Sequence, residues 1–222
     1  MKRWFGGLVV AVLTAAVIFG CAGTAKMNVF QEPTSDQSGI VIGNVLVESR
    51  YFEERPELYR ANIDVAVIGQ TVENGKKKIH GYWATTDDQG YFFLTNVPIG
   101  NYAIKGIRFS TNQGTLLTIT NSLRYAGSTY VIDRKETVIF DGSYFPIEPK
   151  GRVINMGYNH FVIDQTTRST GHVDHVRLPR LVNYQVITGE KLNLGPIEEY
   201  FIQKYPQSAW VQVLKQALGK KR

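Results

Sequence analysis

One run of turns and short strands constrains this chain more than any other feature. It reads Thr85-Thr86-Asp87-Asp88-Gln89-Gly90-Tyr91-Phe92-Phe93-Leu94-Thr95-Asn96-Val97-Pro98-Ile99-Gly100-Asn101-Tyr102-Ala103-Ile104-Lys105-Gly106-Ile107-Arg108. Asp87 and Asp88 can accept N–H groups just downstream of themselves, and Gly90 can take the positive φ that closes such a turn. Pro98 fixes φ and Gly100 restores freedom, so 97–100 is a second reversal. A short aromatic strand lies between the turns, and Tyr102, Ile104 and Gly106 share one face of the strand that follows. A chain written this way folds as a β-meander. With 12 tyrosines, 11 phenylalanines and 21 glycines in 222 residues, the composition also favours strands.

Four segments in order resemble a known domain: Gly39-Ile40-Val41-Ile42-Gly43-Asn44-Val45, Asn62-Ile63-Asp64-Val65-Ala66-Val67, Thr86-Asp87-Asp88-Gln89-Gly90-Tyr91-Phe92 and Asn96-Val97-Pro98-Ile99-Gly100-Asn101-Tyr102. Together they are similar to the carboxypeptidase regulatory-like, or transthyretin-like (prealbumin-like), β-sandwich. The resemblance covers residues 39–109. It implies a mainly β fold and a non-enzymatic role, because the family supplies accessory, binding or spacer modules of secreted and surface proteins. It brings no catalytic residues with it. The long charged connection between Val47 and Asn62 departs from the family pattern.

The first residues point to export. Met1-Lys2-Arg3 is positive, and residues 4–19 are apolar or glycine apart from Thr14. That run falls short of the roughly 20 residues a spanning helix needs, and a charged start before it reads as a signal peptide over 1–20. It ends in Ile18-Phe19-Gly20-Cys21, which resembles the lipobox of bacterial lipoproteins. Cys21 is the sole cysteine, so it has no intrachain disulfide partner in an oxidising compartment. The resemblance implies a lipidated Cys21, carrying a diacylglyceryl thioether and an acylated amine. Ala22 is not a retention aspartate, so the expected destination is the outer membrane, facing the periplasm. Loss of Lys2 and Arg3 with the signal lowers 25 bases to 23, against 19 acids. Lys220, Lys221 and Arg222 hold most of that excess, so the body is near neutral and no nucleic-acid partner is expected.

Residues 21–38 read as a polar tether. Strands are expected over 40–48, 62–69 and 79–86, with an Asn74-Gly75 hairpin turn followed by Lys76-Lys77-Lys78. In the second strand Ile63, Val65 and Val67 face one way and Asp64, Ala66 and Ile68 the other. The transthyretin-like sandwich occupies 39–112, and further strands over 113–195 complete or extend it. These include 160–164 and a pair over 171–176 and 182–186. The period then changes to 3.6. Gly195-Pro196 starts one helix, with the proline at its first position. Ser208 caps a second, carrying Trp210, Val213, Leu214, Ala217 and Leu218 on one stripe and closed by Gly219. This helical pair over 196–219 either packs on the sandwich flank or docks a partner through Trp210.

Catalytic chemistry is sparse. His172, Asp174 and His175, with His160 upstream, form the one histidine group, but strand alternation splits it across two faces. No metal and no cofactor are expected. No serine sits in a nucleophile elbow, and no glycine-rich phosphate loop opens a helix. Candidate partner contacts are Tyr51, Phe52, Tyr125, Tyr158 and Asn159 in loops at the sandwich ends, and Trp210. The expected role is that of a non-catalytic envelope lipoprotein, held in membrane lipid through Cys21, that binds another envelope protein. The alternative is a polysaccharide- or peptidoglycan-binding module, and a metal-dependent or other hydrolase comes third.

Overall fold

A computed structural model describes residues 29–50, 55–112, 114, 116–121, 136–140, 151–169 and 175–219. The fold is mainly β, with a pair of helices at the end, as the sequence leads one to expect. In chain order the strands are β1 (Ser38–Ser49), β2 (Glu57–Tyr59), β3 (Asp64–Glu73), β4 (Lys76–Thr85), β5 (Tyr91–Pro98), β6 (Asn101–Ser110), β7 (Leu116–Asn121), β8 (Glu136–Phe140), β9 (Val153–Ser169) and β10 (His175–Ile187). A 3-10 turn (Gly189–Leu192), α1 (Ile197–Lys204) and α2 (Trp210–Gly219) follow. One sheet runs β10-β9-β1, with β5 and then β2 against the other edge of β1; the second runs β4-β3-β6-β7-β8.

The strand β1 lies at the centre of the three layers. Apolar residues occupy it without alternation, as expected of a strand buried on both faces. Val41, Val45 and Val47 point into the core between the sheets, where they meet Val65, Val67, Phe92, Ile107 and Phe161. Ile40 and Ile42 point the other way, into a second core built with Ile197, Phe201, Trp210 and Leu214 of the helices. The first sheet is therefore covered twice, by the second sheet and by the helical pair.

Local chemistry sets the turns. Asp87 Oδ1 accepts from the N–H groups of Gln89 (3.0 Å) and Tyr91 (2.9 Å), and Gly90 has φ +87°. A Cβ on Gly90 would stand 2.5 Å from the Val45 carbonyl, so no other residue fits. Asn74 and Gly75 both have positive φ, the geometry of a two-residue hairpin joining β3 to β4.

Several expectations are corrected beyond residue 110. Residues 156–159 read as a connection, yet β9 is continuous there. Gly157 (φ +74°) absorbs an extra residue where the parallel β1–β9 register shifts, a β-bulge that resembles a turn in sequence. Asn159, expected in a loop, is buried and holds the bulge. Its Nδ2 donates to the carbonyls of Asn44, Met156 and Gly157 at 3.0–3.2 Å, and its Oδ1 accepts from the Tyr184 hydroxyl. Of the pair expected over 171–176 and 182–186, residues 171–174 lie outside the described residues, and the rest belongs to one strand, β10, antiparallel to β9 from Ser169 to Tyr158. Pro179 is tolerated within it because β10 is the last strand of its sheet, where a residue without a backbone donor costs least. Pro196 caps α1 from outside rather than occupying its first turn.

The expected tether also ends early. From Phe30 onward the chain is docked on the helices and β5. Phe30 stacks on Tyr205 at 3.9 Å, and the Trp210 indole N–H donates to the Gln31 carbonyl at 2.8 Å. Glu32 accepts from the Ser208 hydroxyl and the Ala209 N–H, closing the start of α2 from a distant part of the chain. Ser208 adds the expected local cap, its Oγ accepting from the Trp210 N–H.

Candidate functional site

The candidate residues read from sequence divide into those outside the described residues and those the structure places. Cys21, Tyr51, Phe52, Tyr125, His172 and Asp174 lie outside the described residues. Trp210 is 0 % exposed: its ring is covered by the Arg152 guanidinium at 5.0 Å, so it packs the helical layer onto the sandwich and offers no face to a partner. Tyr158 is also buried, and its hydroxyl donates to the Gly195 carbonyl. Burial, and then the Tyr91 hydroxyl beside it, raise the Tyr158 pKa and keep the phenol protonated.

Strand register separates the histidines. His175 lies opposite Ser169, whereas His160 lies opposite Gln185. Nine positions along β9 correspond to about 30 Å at the rise of a strand, so these two cannot share one ion. His160 instead faces Glu48, with Nε2 3.4 Å from the carboxylate. No group of three metal-ligating side chains occurs among the described residues.

A hydroxyl–imidazole pair that sequence reasoning did not single out lies on β3 and β4. Thr71 Oγ1 is 3.0 Å from His80 Nε2. Glu73 Oε1 approaches the same nitrogen, at 3.6 Å. A nucleophile–base–acid relay needs the acid on the other ring nitrogen, where it fixes the tautomer. With both oxygens crowding one nitrogen, the trio acts as a hydrogen-bond cluster running from the buried Thr71 to the half-exposed Glu73.

Among the described residues, two surfaces are shaped to receive a ligand. The first is a cleft of about 610 Å³ between the β9 bulge and residues 188–198, within the size range of small-molecule sites. Val153, Leu194, Ile197 and Ala217 form apolar walls, with Tyr158 and the buried Glu198 beside them. The second is the outer face of the second sheet, which the described helices leave bare. Register places Thr85, Asp64 and Arg108 in one cross-strand row, Trp83, Ala66 and Gly106 in the next, and Gly81, Ile68 and Ala103 in a third. Asp64 accepts from the Thr85 hydroxyl (2.7 Å) and from two Arg108 nitrogens (2.6 and 3.1 Å), and Arg108 lies over the Trp83 ring at 4.9 Å. Towards the hairpin tip, Val72 and Ile79 are 69 % and 74 % exposed. This face pairs a fixed polar–aromatic row with free aliphatic side chains, and Gly81 leaves open space between them. The signal for it in the sequence was the outward set of β4, Ile79-x-Gly81-x-Trp83, which alternates as a half-buried strand does.

Elsewhere the acid–base groups serve the fold. Asp87 Oδ2 accepts from the Tyr200 hydroxyl and from Lys204 Nζ (2.6 Å), tying the β4–β5 turn to α1. Burial opposes the charge on Asp87, but the hydrogen bonds from Lys204, Tyr200 and the Tyr91 N–H outweigh it and lower the pKa. Burial, reinforced by the hydrogen bond to Asp87, pushes the Tyr200 hydroxyl up to about 12.

No described helix is long and apolar enough to cross a membrane. No family model matches this sequence, and no curated protein or solved structure matches it significantly.

Proposed function

We propose that this chain is a membrane-anchored, non-catalytic accessory protein, lipidated at Cys21 after export, which holds another protein of the cell envelope against the outer face of its second sheet. On this reading the two-sheet body is a transthyretin-like sandwich used as a rigid module. The observation that carries the reading is the bare face: a large aliphatic pair, Val72 and Ile79, stands in water beside the braced Trp83–Arg108–Asp64 row. Side chains of this kind on a flat, stiff platform are what a protein contact uses. The neighbouring edge of β4 is guarded by Lys76, Lys77 and Lys78, which disfavour strand addition, so the face and not the edge is the contact surface. Anchoring is supported by the positive start, the short apolar run and Ile18-Phe19-Gly20-Cys21.

The test is a mild-detergent purification of the full-length protein from its native membranes, with co-purifying chains identified by mass spectrometry. A stoichiometric protein lost from a Val72→Glu/Ile79→Glu variant supports the reading, and a Cys21→Ala form reports whether the anchor is needed. A solitary protein that binds polysaccharide or peptidoglycan through Trp83 would replace it with the glycan-binding alternative.

A further inference from the structure

We propose that the cleft beside the β9 bulge is a binding site for a small amphiphile, one with an apolar body and a single ammonium group. The first observation is that its walls are set without a ligand. The Tyr158 hydroxyl donates to the Gly195 carbonyl, and the Leu194 N–H donates to the Gly189 carbonyl at 2.9 Å, closing residues 189–194 into a loop beside the Tyr158 ring. The approach is close: a Cβ on Gly189 would stand 2.9 Å from that ring and 2.6 Å from the Leu194 carbonyl. On the strand side, Asn155 Oδ1 accepts from the Gly157 N–H at 2.8 Å and fixes the bulge. With both sides tied, the space of about 610 Å³ is held open, and a preformed site spares a ligand the cost of ordering it.

The second observation is what lines the space. Val153, Leu194, Ile197 and Ala217 supply aliphatic surface from β9, from the segment before α1 and from both helices. Among the described residues the charged side chains of the lining are Glu190, from the 3-10 turn, and Glu198, from α1; no Lys, Arg or His joins them. Glu198 is 1 % exposed and Glu190 is open to solvent, so one carboxylate lies deep and the other at the mouth. Tyr158 adds no charge, because burial keeps its phenol protonated. Lys191 is exposed and stands outside the lining, as does Glu199, whose Oε2 lies 3.5 Å from where a Cβ on Gly195 would be. The start of α1 would by itself draw an anion, but Glu198 and Glu199 already occupy its first turn. An anionic ligand is therefore repelled from this space and a cation drawn in, and partial shielding from water makes that contact stronger than on an open surface. A bare cation would leave the aliphatic walls wet, and plain hydrocarbon would lie against the Glu198 carboxylate. The two together select an amphiphilic amine.

The test is isothermal titration calorimetry on the full-length chain at neutral pH in a maltoside detergent. The probes are phenethylamine, its neutral counterpart phenethyl alcohol and its acidic counterpart hydrocinnamate. The expected result is one-to-one binding of the amine, about tenfold tighter than the alcohol, with the acid weakest. Glu198→Gln should bring the amine down to the level of the alcohol and leave the alcohol unchanged, and Leu194→Trp, which fills the cleft, should abolish both. Thermal melts check that each variant folds. If Glu198→Gln does not, the solvent-exposed Glu190→Gln carries the same comparison, with a loss of about threefold confined to the amine. Binding of the acid as tight as the amine, an amine affinity indifferent to both carboxylates, or one indifferent to Leu194→Trp overturns the proposal. So does the absence of amine binding by the parent chain. Should a Lys220→Ser/Lys221→Ser/Arg222→Ser variant then bind it, the chain's own basic residues are the occupant and no separate ligand is.

Discussion

The two sheets differ in what lies outside them, and their sequences differ accordingly. In the first sheet β1 is buried on both faces, and side chains on alternating sides enter different cores. In the second, β4 keeps Tyr82 and Ala84 inward while Ile79 stays in water. A strand with two covered faces has no room for polar alternation, and one with a single covered face is free to vary outside. In this molecule the varied face is where recognition can be built, and the doubly covered sheet is what keeps it rigid.

That contrast can be broken at its strong side first. Trp210→Ala should empty the centre of the helical core and cost about 3–5 kcal/mol in urea unfolding, the range for a buried aromatic. A loss below about 1 kcal/mol would mean that the helices contribute little to the sandwich. Asp87→Ala should cost about 2 kcal/mol, because it removes charge-assisted bonds to Tyr200 and Lys204 along with its turn bonds. The same residue gives a pH signature. Its folded pKa is depressed, so its contribution is full above the ordinary value near 3.8 and fades as pH falls through the lower folded value. An Asp87→Asn variant should lose less stability than the parent over that acid window, measured by thermal melts. Glu32→Ala should cost about 1 kcal/mol as a lost cap. Ile79→Thr on the bare face should change stability by no more than about 0.5 kcal/mol. A larger loss there would show that the face is occupied in the free protein.

The sequence was legible where the determining forces are local. Asp87 with Gly90, and Asn74 with Gly75, shape their own turns, and the stripe of α2 follows from helical period alone. It was misleading where distant residues decide. Gly157 reads as a loop until Asn159, Asn44 and Tyr184 are seen to clasp it inside a strand. Phe30 is one aromatic in a polar stretch, and nothing near it in the chain says that Tyr205 and Phe93 will receive it. Trp210 fitted a core pattern first and a partner-anchor pattern as its rival, and what fixes its place are Arg152 and Gln31, far away in sequence. The bare face escaped notice because its three rows become neighbours only through the pairing of β3, β4 and β6.

The parallel pairing of β1 with β9 has a consequence for timing. Ile40 pairs beside Val153, so the central strand is synthesised more than a hundred residues before its neighbour on that side. A chain delivered from its N-terminus can form the β3–β4 hairpin early, since that contact is local. It cannot complete the first sheet or seat its helices until the C-terminal third has arrived. Until then the most apolar strand of the molecule keeps an open edge. Refolding should accordingly be slow for a domain of this size, and the half-made chain has reason to meet a holding chaperone.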